Sequence, residues 1–500
     1  MKRFGSVFFT GLFLLFTLSS VQADDFTWFG GSGNWNSTGV PGWNTNHLPT
    51  AADFVNINNN VTVNDTTVAA EASNITVGYS SAGSLIISGG SLTNYGATFI
   101  GRSGVGTVQV SGGEWSSGLI AVGSFTNGSL NISGGTVYAE GIILGTGGAG
   151  SLRLTGGVLE TRVIINNNVS EFFLNGGTIR STESRVLFDG FDSITLTGTW
   201  LASNRTALVL DTVAGVTSTA TNDFSFVRSS SSTTRALEKT GAGTLELSGN
   251  TDLTADGDLY VNGGTLSITG SLTNRNTTIG ESGQTATMNV AAGGAWDSGG
   301  VIENNSRLEV NGLLFGGGSL NNAGTLAGSG TINQVVAMDA DAVLDPGSTD
   351  SPVGTLTFTQ AQTWTDGFTY NWDMGSAAPA GTGDLLEFDS VTLTLSDTGV
   401  SYTLNINDAL ASSAVDDFDM TWKLITSAGI YGFDTNNWTI TGDTAFMAAH
   451  GLDGWFEINL NGNDLVLNYH SNVPEPFATA LVLWSAALCI MFRRYKYLTQ

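Results

Sequence analysis

The chain has 500 residues, of which 67 are glycine and only 12% are charged, about half the proportion that is typical of soluble globular proteins. Its 43 acidic and 17 basic residues give a formal net charge of −26 at pH 7, which argues against nucleic acid as a partner because nucleic-acid-binding proteins present basic patches. Hydrophobic residues make up 41% of the chain, so it can bury a core, and the single cysteine, Cys489, excludes an intramolecular disulfide.

The segment 1–23 has the three parts of a secretory signal peptide. Lys2 and Arg3 give a positive start, residues 8–18 are apolar, and the small residues Val21 and Ala23 form a cleavage site. We expect Ala23 to be the last residue removed and the mature chain to begin at Asp24. An uncleaved anchor helix is the alternative, but the apolar stretch is short for one. Residues 24–73 are predicted to form an N-terminal β-rich cap.

Residues 74–200 contain a repeat of about 22 residues, marked by Gly-Gly pairs. Within each unit, apolar residues alternate with variable, mostly polar ones, as in a strand with one buried face. Glycine accepts a positive φ without strain, so each pair is expected to turn the chain. The pairs end at Gly90, Gly113, Gly135, Gly157 and Gly177, and the predicted inward columns are Leu85, Val108, Leu130 and Leu152, then Ile87, Val110, Ile132 and Leu154, then Leu92, Trp115, Val137 and Leu159.

A further strand in each unit reads NITVG, ATFIG, LIAVG, GIILG and RVIIN. Each unit therefore holds about three short strands, and none has enough apolar surface to fold alone. Stacking the units buries continuous columns, which predicts an all-β parallel β-helix or β-solenoid. A β-sandwich of separate hairpins is the alternative, but it does not explain the period. The column predicted for this strand is Val77, Ile100, Val122, Leu144 and Ile165.

Residues 201–353 are predicted to form a second solenoid section. Residues 278–299 match residues 99–118 at their glycines, and Trp296 matches Trp115. The segment KTGAGTLELSGNTDLTADGDLYVNGGTLSI, beginning at Lys239, resembles the repeat of autotransporter passenger domains. Segments near the N-terminus and at residues 342–358 resemble the same class of surface protein. This resemblance implies an extended β-solenoid displayed at the cell surface.

Residues 354–471 lack Gly-Gly pairs but keep strand patterns, which predicts a β-rich region that caps the solenoid or forms a small sandwich. The final segment, 472–500, contains Val473, Pro474, Glu475 and Pro476, followed by the uncharged stretch 477–492. We expect that stretch to form a single C-terminal transmembrane helix. The basic residues that would orient this helix are Arg493, Arg494 and Lys496.

This tripartite arrangement closely resembles the PEP-CTERM sorting signal. The resemblance implies that an exosortase-type membrane enzyme recognises the Pro-Glu-Pro segment and processes the tail. It also implies a Gram-negative bacterium that makes extracellular polysaccharide. The chain would be the substrate, and it would contact the inner membrane transiently. A permanent tail anchor is the alternative.

The residues that could carry chemistry are few. His47, His450 and His470 lack metal-ligand spacing, and no nucleophile or phosphate-binding motif occurs. Trp115 and Trp296 are predicted to be core residues, and the N-terminal tryptophans Trp28, Trp35 and Trp43 to plug the first coil. No cofactor is predicted. Two acidic clusters could bind Ca²⁺ but are better explained as solvated loops: Asp339, Asp341 and Asp345, and Asp416, Asp417 and Asp419.

The sequence thus predicts a non-catalytic, exported protein of the cell envelope or extracellular matrix with a structural or adhesive role. The predicted partners are an exosortase-type enzyme and, as a further candidate, extracellular polysaccharide. A glycan-binding module and a β-helix carbohydrate-active enzyme are the alternatives. Carboxylates converging on a groove would favour the enzyme, since glycoside hydrolysis uses paired carboxylates, whereas a smooth surface rich in Thr, Asn and Ser would favour the structural role.

Overall fold

A computed structural model describes residues 23–473 apart from 39–41, 46, 65–68, 199–204, 228–234, 255, 304, 350, 378–380 and 409–416, together with residues 485 and 490. These residues form a parallel β-solenoid of about 14 turns, which confirms the predicted all-β fold and coils of about 22 residues. With turns stacked one strand spacing apart, the rod is roughly 70 Å long.

Each turn has three strands, which stack on those of the next turn to form three faces. Face 1 begins with residues 25–27 and Phe54–Ile57 and continues through Asn74–Val77 and residues 98–100, 119–122 and 141–144. Face 2 contains residues 83–88, 106–112, 128–134 and 150–156. Face 3 contains residues 91–94, 114–117, 136–139 and 158–161. The chain runs from face 1 to face 2 to face 3 in every turn.

The predicted inward columns of face 2 are confirmed. Val108 pairs with Leu130 and Leu130 with Leu152, and all three side chains are fully buried. The corner that follows depends on glycine. Gly135 has a φ of +67°, and a Cβ there would lie 2.5 Å from the carbonyl oxygen of Gly113 in the previous turn. Coils can stack this closely only where the corner carries no side chain.

One predicted column position is wrong. In face 1, Ile165 does not follow Leu144, because Leu144 pairs with Asn166 and Ile165 pairs with Ile143. Ile164 is the fully buried residue of that strand. At this turn the strand pairing is shifted by one residue relative to the alignment of the sequence repeats. The Ile165 side chain therefore does not point into the core.

The second solenoid section uses its repeat on different faces. Trp115 lies in face 3, whereas the matching Trp296 lies on a strand that stacks through Leu272 onto face 2. Both are fully buried, so the predicted core role is confirmed. Because the three faces of a turn are nearly equivalent, the same sequence unit can be accommodated one face apart.

Turn length changes along the rod. The change in composition at residue 354 does not interrupt the stack, since Thr331–Met338 pairs in parallel with Thr355–Phe358, and that strand with Leu385–Phe388. The later turns are longer because loops are inserted between strands. The turn from Thr325 to its stacking partner Val343 is short, whereas the later turn from Tyr402 to its partner Trp438 is much longer.

An aromatic cluster closes the N-terminal end, as predicted. Trp43 packs edge-on against Trp28 and Trp35, with ring centroids 5.0 and 4.9 Å apart. The Trp43 indole N–H donates to the Trp35 carbonyl at 2.6 Å. All three tryptophans are buried, and the Phe26 ring contacts both Trp43 and His47. These large side chains cover the apolar core that the first turn would otherwise expose.

The C-terminal end is closed by antiparallel pairing. Met420–Thr426, which stacks on the last turns, pairs antiparallel with Asp464–Ser471, and that strand with Gly454–Asn461. The helix Asp443–His450 packs beside them through Phe446. Reversing the strand direction ends the parallel stack and protects its edge from pairing with another chain.

The elements run in chain order as follows. The entry strands are Asp25–Phe29, Gly33–Asn34, Gly42–Trp43, Phe54–Ile57, Asn60–Val63, Ala70–Ala72 and Asn74–Val77. The next are Gly83–Ile100, Gly106–Val122, Gly128–Leu144, Gly150–Thr161, Ile164–Asn166, Val169–Leu174, Thr178–Ser181, Phe188–Asp189 and Ser193–Thr197.

The middle strands are Leu208–Thr212, Thr217–Ala220, Asp223–Val227, Arg235–Thr240, Thr244–Leu247, Asn250–Asp252, Asp258–Val261, Gly264–Ile268, Ser271–Ile279, Ala286–Val290, Ala295–Ile302, Arg307–Val310, Leu313–Asn322, Thr325–Gly328, Thr331–Met338 and Val343–Pro346. The last are Thr355–Phe358, Gln362–Trp364, Thr369–Asp373, Leu385–Phe388, Thr392–Leu395, Tyr402–Asn407, Met420–Thr426, Gly429–Tyr431, Trp438–Thr441, Gly454–Asn461 and Asp464–Ser471. Short 3-10 turns lie at Glu281–Gly283 and Thr435–Asn437, and the α-helix is Asp443–His450.

The predicted C-terminal transmembrane helix is not found, and on this point the fold prediction is wrong. Within the part of the chain that the structure describes, no helix combines the length and the apolar character needed to cross a membrane. Of the predicted span, residues 477–492, only 485 and 490 are described. That uncharged stretch is also shorter than the roughly 20 residues that a spanning helix needs.

Candidate functional site

The two predicted processing points lie at opposite ends of the rod. Ala23 is exposed and lies two residues before the first strand, which begins at Asp25. Val473 is half exposed, and its backbone N–H donates to the Ser471 hydroxyl at 3.0 Å, at the end of the last strand. The remaining predicted sorting and orientation residues lie outside the described residues: Pro474, Glu475, Pro476, Arg493, Arg494 and Lys496.

Charged side chains on the outer surface pair between successive turns. On face 3, Glu160, Arg180 and Asp211 occupy the same position in three consecutive turns. The Arg180 Nε donates to Asp211 at 2.6 Å, and its guanidinium lies 3.5 Å from Glu160. Hydrogen bonding to Asp211 raises the pKa of Arg180. Each such surface pair contributes little stability by itself, but within the ladder each of these charges already has a partner of opposite sign.

A second ladder lies further along the same face. Arg235 stacks 3.6 Å from the Tyr260 ring centroid and donates to both carboxylate oxygens of Glu281 at 3.0 and 2.8 Å. Hydrogen bonding to Arg235 lowers the pKa of Glu281. Arg275 makes a similar two-pronged bond with Asp258 at 2.8 and 2.7 Å. These carboxylates are therefore engaged by arginine, which leaves them poorly placed to act as a general acid or base.

Lys239, the first residue of the autotransporter-type repeat, is fully buried. Its ammonium donates to the carbonyls of Thr240, Gly241 and Gly263 at 2.6, 3.0 and 3.1 Å. Burial lowers its pKa to about 8. Because Gly263 belongs to the next turn, this one side chain ties together two turns at the corner between faces 3 and 1. The conspicuous lysine of the motif thus has a structural role.

A buried carboxyl group lies in the C-terminal turns. Asp384 is fully buried, and its two carboxylate oxygens accept the backbone N–H groups of Gly354 and Asp373 at 2.8 and 2.9 Å. Burial nevertheless raises the pKa of Asp384 to about 8, and burial raises the pKa of neighbouring Asp373 to about 6. Asp345, which also faces this group, is ion-paired with Arg307 at 2.5 Å. Asp384 thus holds one turn to the next.

These raised pKa values predict that the protein becomes more stable as the pH falls from 8 to 6. The unfolded chain would ionise both carboxyls near pH 4, so between pH 4 and 8 the folded state binds protons that the unfolded state does not. Thermal unfolding at pH 6 should therefore occur at a higher temperature than at pH 8. In Asp384→Asn this difference should shrink, whereas it should persist in the exposed control Asp389→Asn. An unchanged difference in Asp384→Asn would contradict the assignment.

The three histidines are dispersed. His450 lies 3.0 Å from Asp408, and His470 lies 2.9 Å from Glu457 and stacks on Trp455. His47 belongs to the N-terminal aromatic cluster. His47 thus lies at the N-terminal end, whereas His450 and His470 lie in the C-terminal cap, where each has its own carboxylate partner.

The acidic clusters do not form a metal site among the described residues, where no group of three suitable side chains is arranged to hold an ion. Asp417 accepts the Tyr469 hydroxyl at 2.7 Å and the Asp453 backbone N–H at 2.9 Å, and Asp419 accepts the Ser471 N–H at 2.8 Å. These two carboxylates fasten the C-terminal cap. Asp416 lies outside the described residues, and Asp339 and Asp341 are exposed at a turn.

The sequence did not lead us to predict the hydrogen-bond acceptors of the buried tryptophan indole N–H groups. The Trp115 indole N–H donates to Asn94 Oδ1 at 3.1 Å, and that of Trp296 to Asn274 Oδ1 at 3.0 Å. Each asparagine is buried in the preceding turn, 21 or 22 residues earlier. The similar Asn-to-Trp spacing was a signal that could have shown this pairing.

No protein-family model matches the chain, and no curated protein matches it significantly.

Proposed function

We propose that the protein is an exported structural or adhesive component of the bacterial cell surface, and that its terminal segments direct its export and sorting. In this account the signal peptide ends at Ala23. An enzyme of the exosortase kind then processes the chain at Pro474-Glu475-Pro476. The mature protein is a rigid rod that acts by presenting its surface rather than by catalysis.

One observation carries this proposal. Every strand among the described residues lies between Asp25 and Ser471, and both ends of the stack are capped inside those limits. Removing the segments up to Ala23 and beyond Val473 would therefore leave every strand that the structure describes, and both caps, intact. The arginine–carboxylate ladders on face 3 agree with a structural role, because Arg180, Arg235 and Arg275 each pair with a carboxylate from another turn.

The sorting step can be tested with Glu475→Ala in a host that carries an exosortase. We expect the variant to accumulate in unprocessed, cell-associated form, while the wild-type protein is processed and recovered from the cell surface. The matched control is Glu114→Ala, which changes an exposed glutamate in the solenoid. Glu114→Ala should be processed normally. Normal processing of Glu475→Ala would contradict recognition of the Pro-Glu-Pro segment.

A further inference from the structure

An open trough of about 570 Å³ lies on the outside of face 1, near the N-terminal end. Its lining comes from successive turns, from Asp25 on the first strand to Phe125 at a corner four turns later. At one strand spacing for each turn, the trough follows the rod axis for roughly 20 Å. It is therefore elongated and suits a chain-like ligand.

Aromatic rings form its sides. Phe54, Tyr79 and Phe125 are 43%, 37% and 68% exposed, and Phe99 is partly exposed beside them. Leaving such side chains in water forgoes the free energy that their burial would contribute. Several exposed rings around one depression are typical of a ligand or partner site.

The trough also has polar groups that the protein does not use. Asn56 and Thr76 are more than nine-tenths buried, and their side chains make no hydrogen bond with the described residues. Arg102 lies 5.2 Å from the Tyr79 ring centroid, and the structure describes no ion-pair partner for it. By contrast, Arg180, Arg235 and Arg275 on face 3 are each ion-paired with a carboxylate.

These features restrict the chemistry of the ligand. A purely apolar peptide or acyl chain would cover the Asn56 amide without pairing it, which is unfavourable because the amide would lose its hydration and gain no hydrogen bond. Nucleic acid would meet a single arginine in a protein with a net charge of −26. A sugar chain meets both demands, because its C–H faces pack on aromatic rings and its hydroxyl groups hydrogen-bond to amide and guanidinium groups.

We propose that this trough binds a neutral polysaccharide. The aromatic rings pack against successive sugar rings, while Asn56, Thr76 and Arg102 hydrogen-bond to hydroxyl groups. Among the described residues that line the trough, Asp25 supplies the one carboxylate, which balances the charge of Arg102, so this lining is close to neutral. This proposal names the class of ligand that the proposed surface protein would bind. Its biological meaning rests on the proposed function, but binding itself does not depend on sorting.

Affinity electrophoresis of the purified protein through gels containing soluble β-glucan, xylan, dextran or polygalacturonate tests the proposal. At least one neutral polysaccharide should retard the wild-type protein. Tyr79→Ala and Phe125→Ala should each weaken that retardation at least tenfold, and Asn56→Ala should weaken it as well. Tyr95→Ala is the matched control, because Tyr95 is 63% exposed and lies outside the trough. It should bind like the wild type.

Thermal unfolding of each variant separates loss of binding from loss of fold, and we expect the exposed-ring variants to unfold like the wild type. Retardation by polygalacturonate alone, by none of the four polymers, or equally in wild type, Tyr79→Ala and Phe125→Ala would overturn the proposal. Sorting is measured in cells and binding on purified protein, so failure of one is distinguishable from failure of the other.

Discussion

Replacing Leu130 by aspartate should destabilise the solenoid by about 4 kcal/mol or more. Leu130 is fully buried between Val108 and Leu152, in the column that runs along the inside of face 2. A carboxylate there would be desolvated, with only apolar neighbours in the column. Because the turns depend on their neighbours for burial, damage to one turn should spread to the turns stacked on it.

The adjacent residue supplies the control. Asn131 points outward from the same strand and pairs with Gln109 and Arg153 in the neighbouring turns. Asn131→Asp should change the free energy of unfolding by less than about 0.5 kcal/mol. Thermal unfolding and hydrogen exchange of residues 106–161 would measure both effects. Equal destabilisation by the two substitutions would show that the inward face is wrongly assigned.

Replacing Lys239 by methionine should lower stability by about 3 kcal/mol. Methionine fills a similar volume but leaves the carbonyls of Thr240, Gly241 and Gly263 without their shared donor. Buried acceptors left unpaired cost about 1–3 kcal/mol each, and removing a desolvated ammonium offsets part of that cost. Denaturant unfolding, with limited proteolysis of the 239–264 corner, would measure the loss.

The same substitution at an exposed lysine is the control for this effect. Lys423 is 61% exposed and pairs with Asp464 on the surface. Lys423→Met should cost less than about 1 kcal/mol, because solvent already screens that pair. If Lys239→Met were no less stable than Lys423→Met, the ammonium would not be what holds the corner.

The regular turns could be predicted because their signals are local. A Gly-Gly pair and two alternating apolar residues recur at nearly constant spacing around Gly113 and Gly135, and the structure places those glycines at positive φ. The predicted inward position of Ile165 is wrong because the strand pairing of that turn is shifted by one residue relative to the sequence repeat. In a strand, a shift of one residue exchanges the inward and outward faces.

Other features depend on contacts that one stretch of sequence does not contain. The sequence match between Trp296 and Trp115 could not show that they lie on different faces, because the faces are nearly equivalent. The partners of Lys239 and Asp384 include backbone groups one turn away, so their burial could not be foreseen from neighbouring residues. Beyond residue 354, the longer turns hide the repeat although the parallel pairing continues.

We expect both terminal segments to be removed, so that the capped rod is the mature surface protein. The most direct test is the intact mass of the wild-type protein recovered from the surface of an exosortase-bearing host, together with sequencing of both ends. We expect a chain that begins at Asp24 and lacks Arg493 and Arg494. Recovery of surface protein that retains Met1 or Gln500 would contradict it.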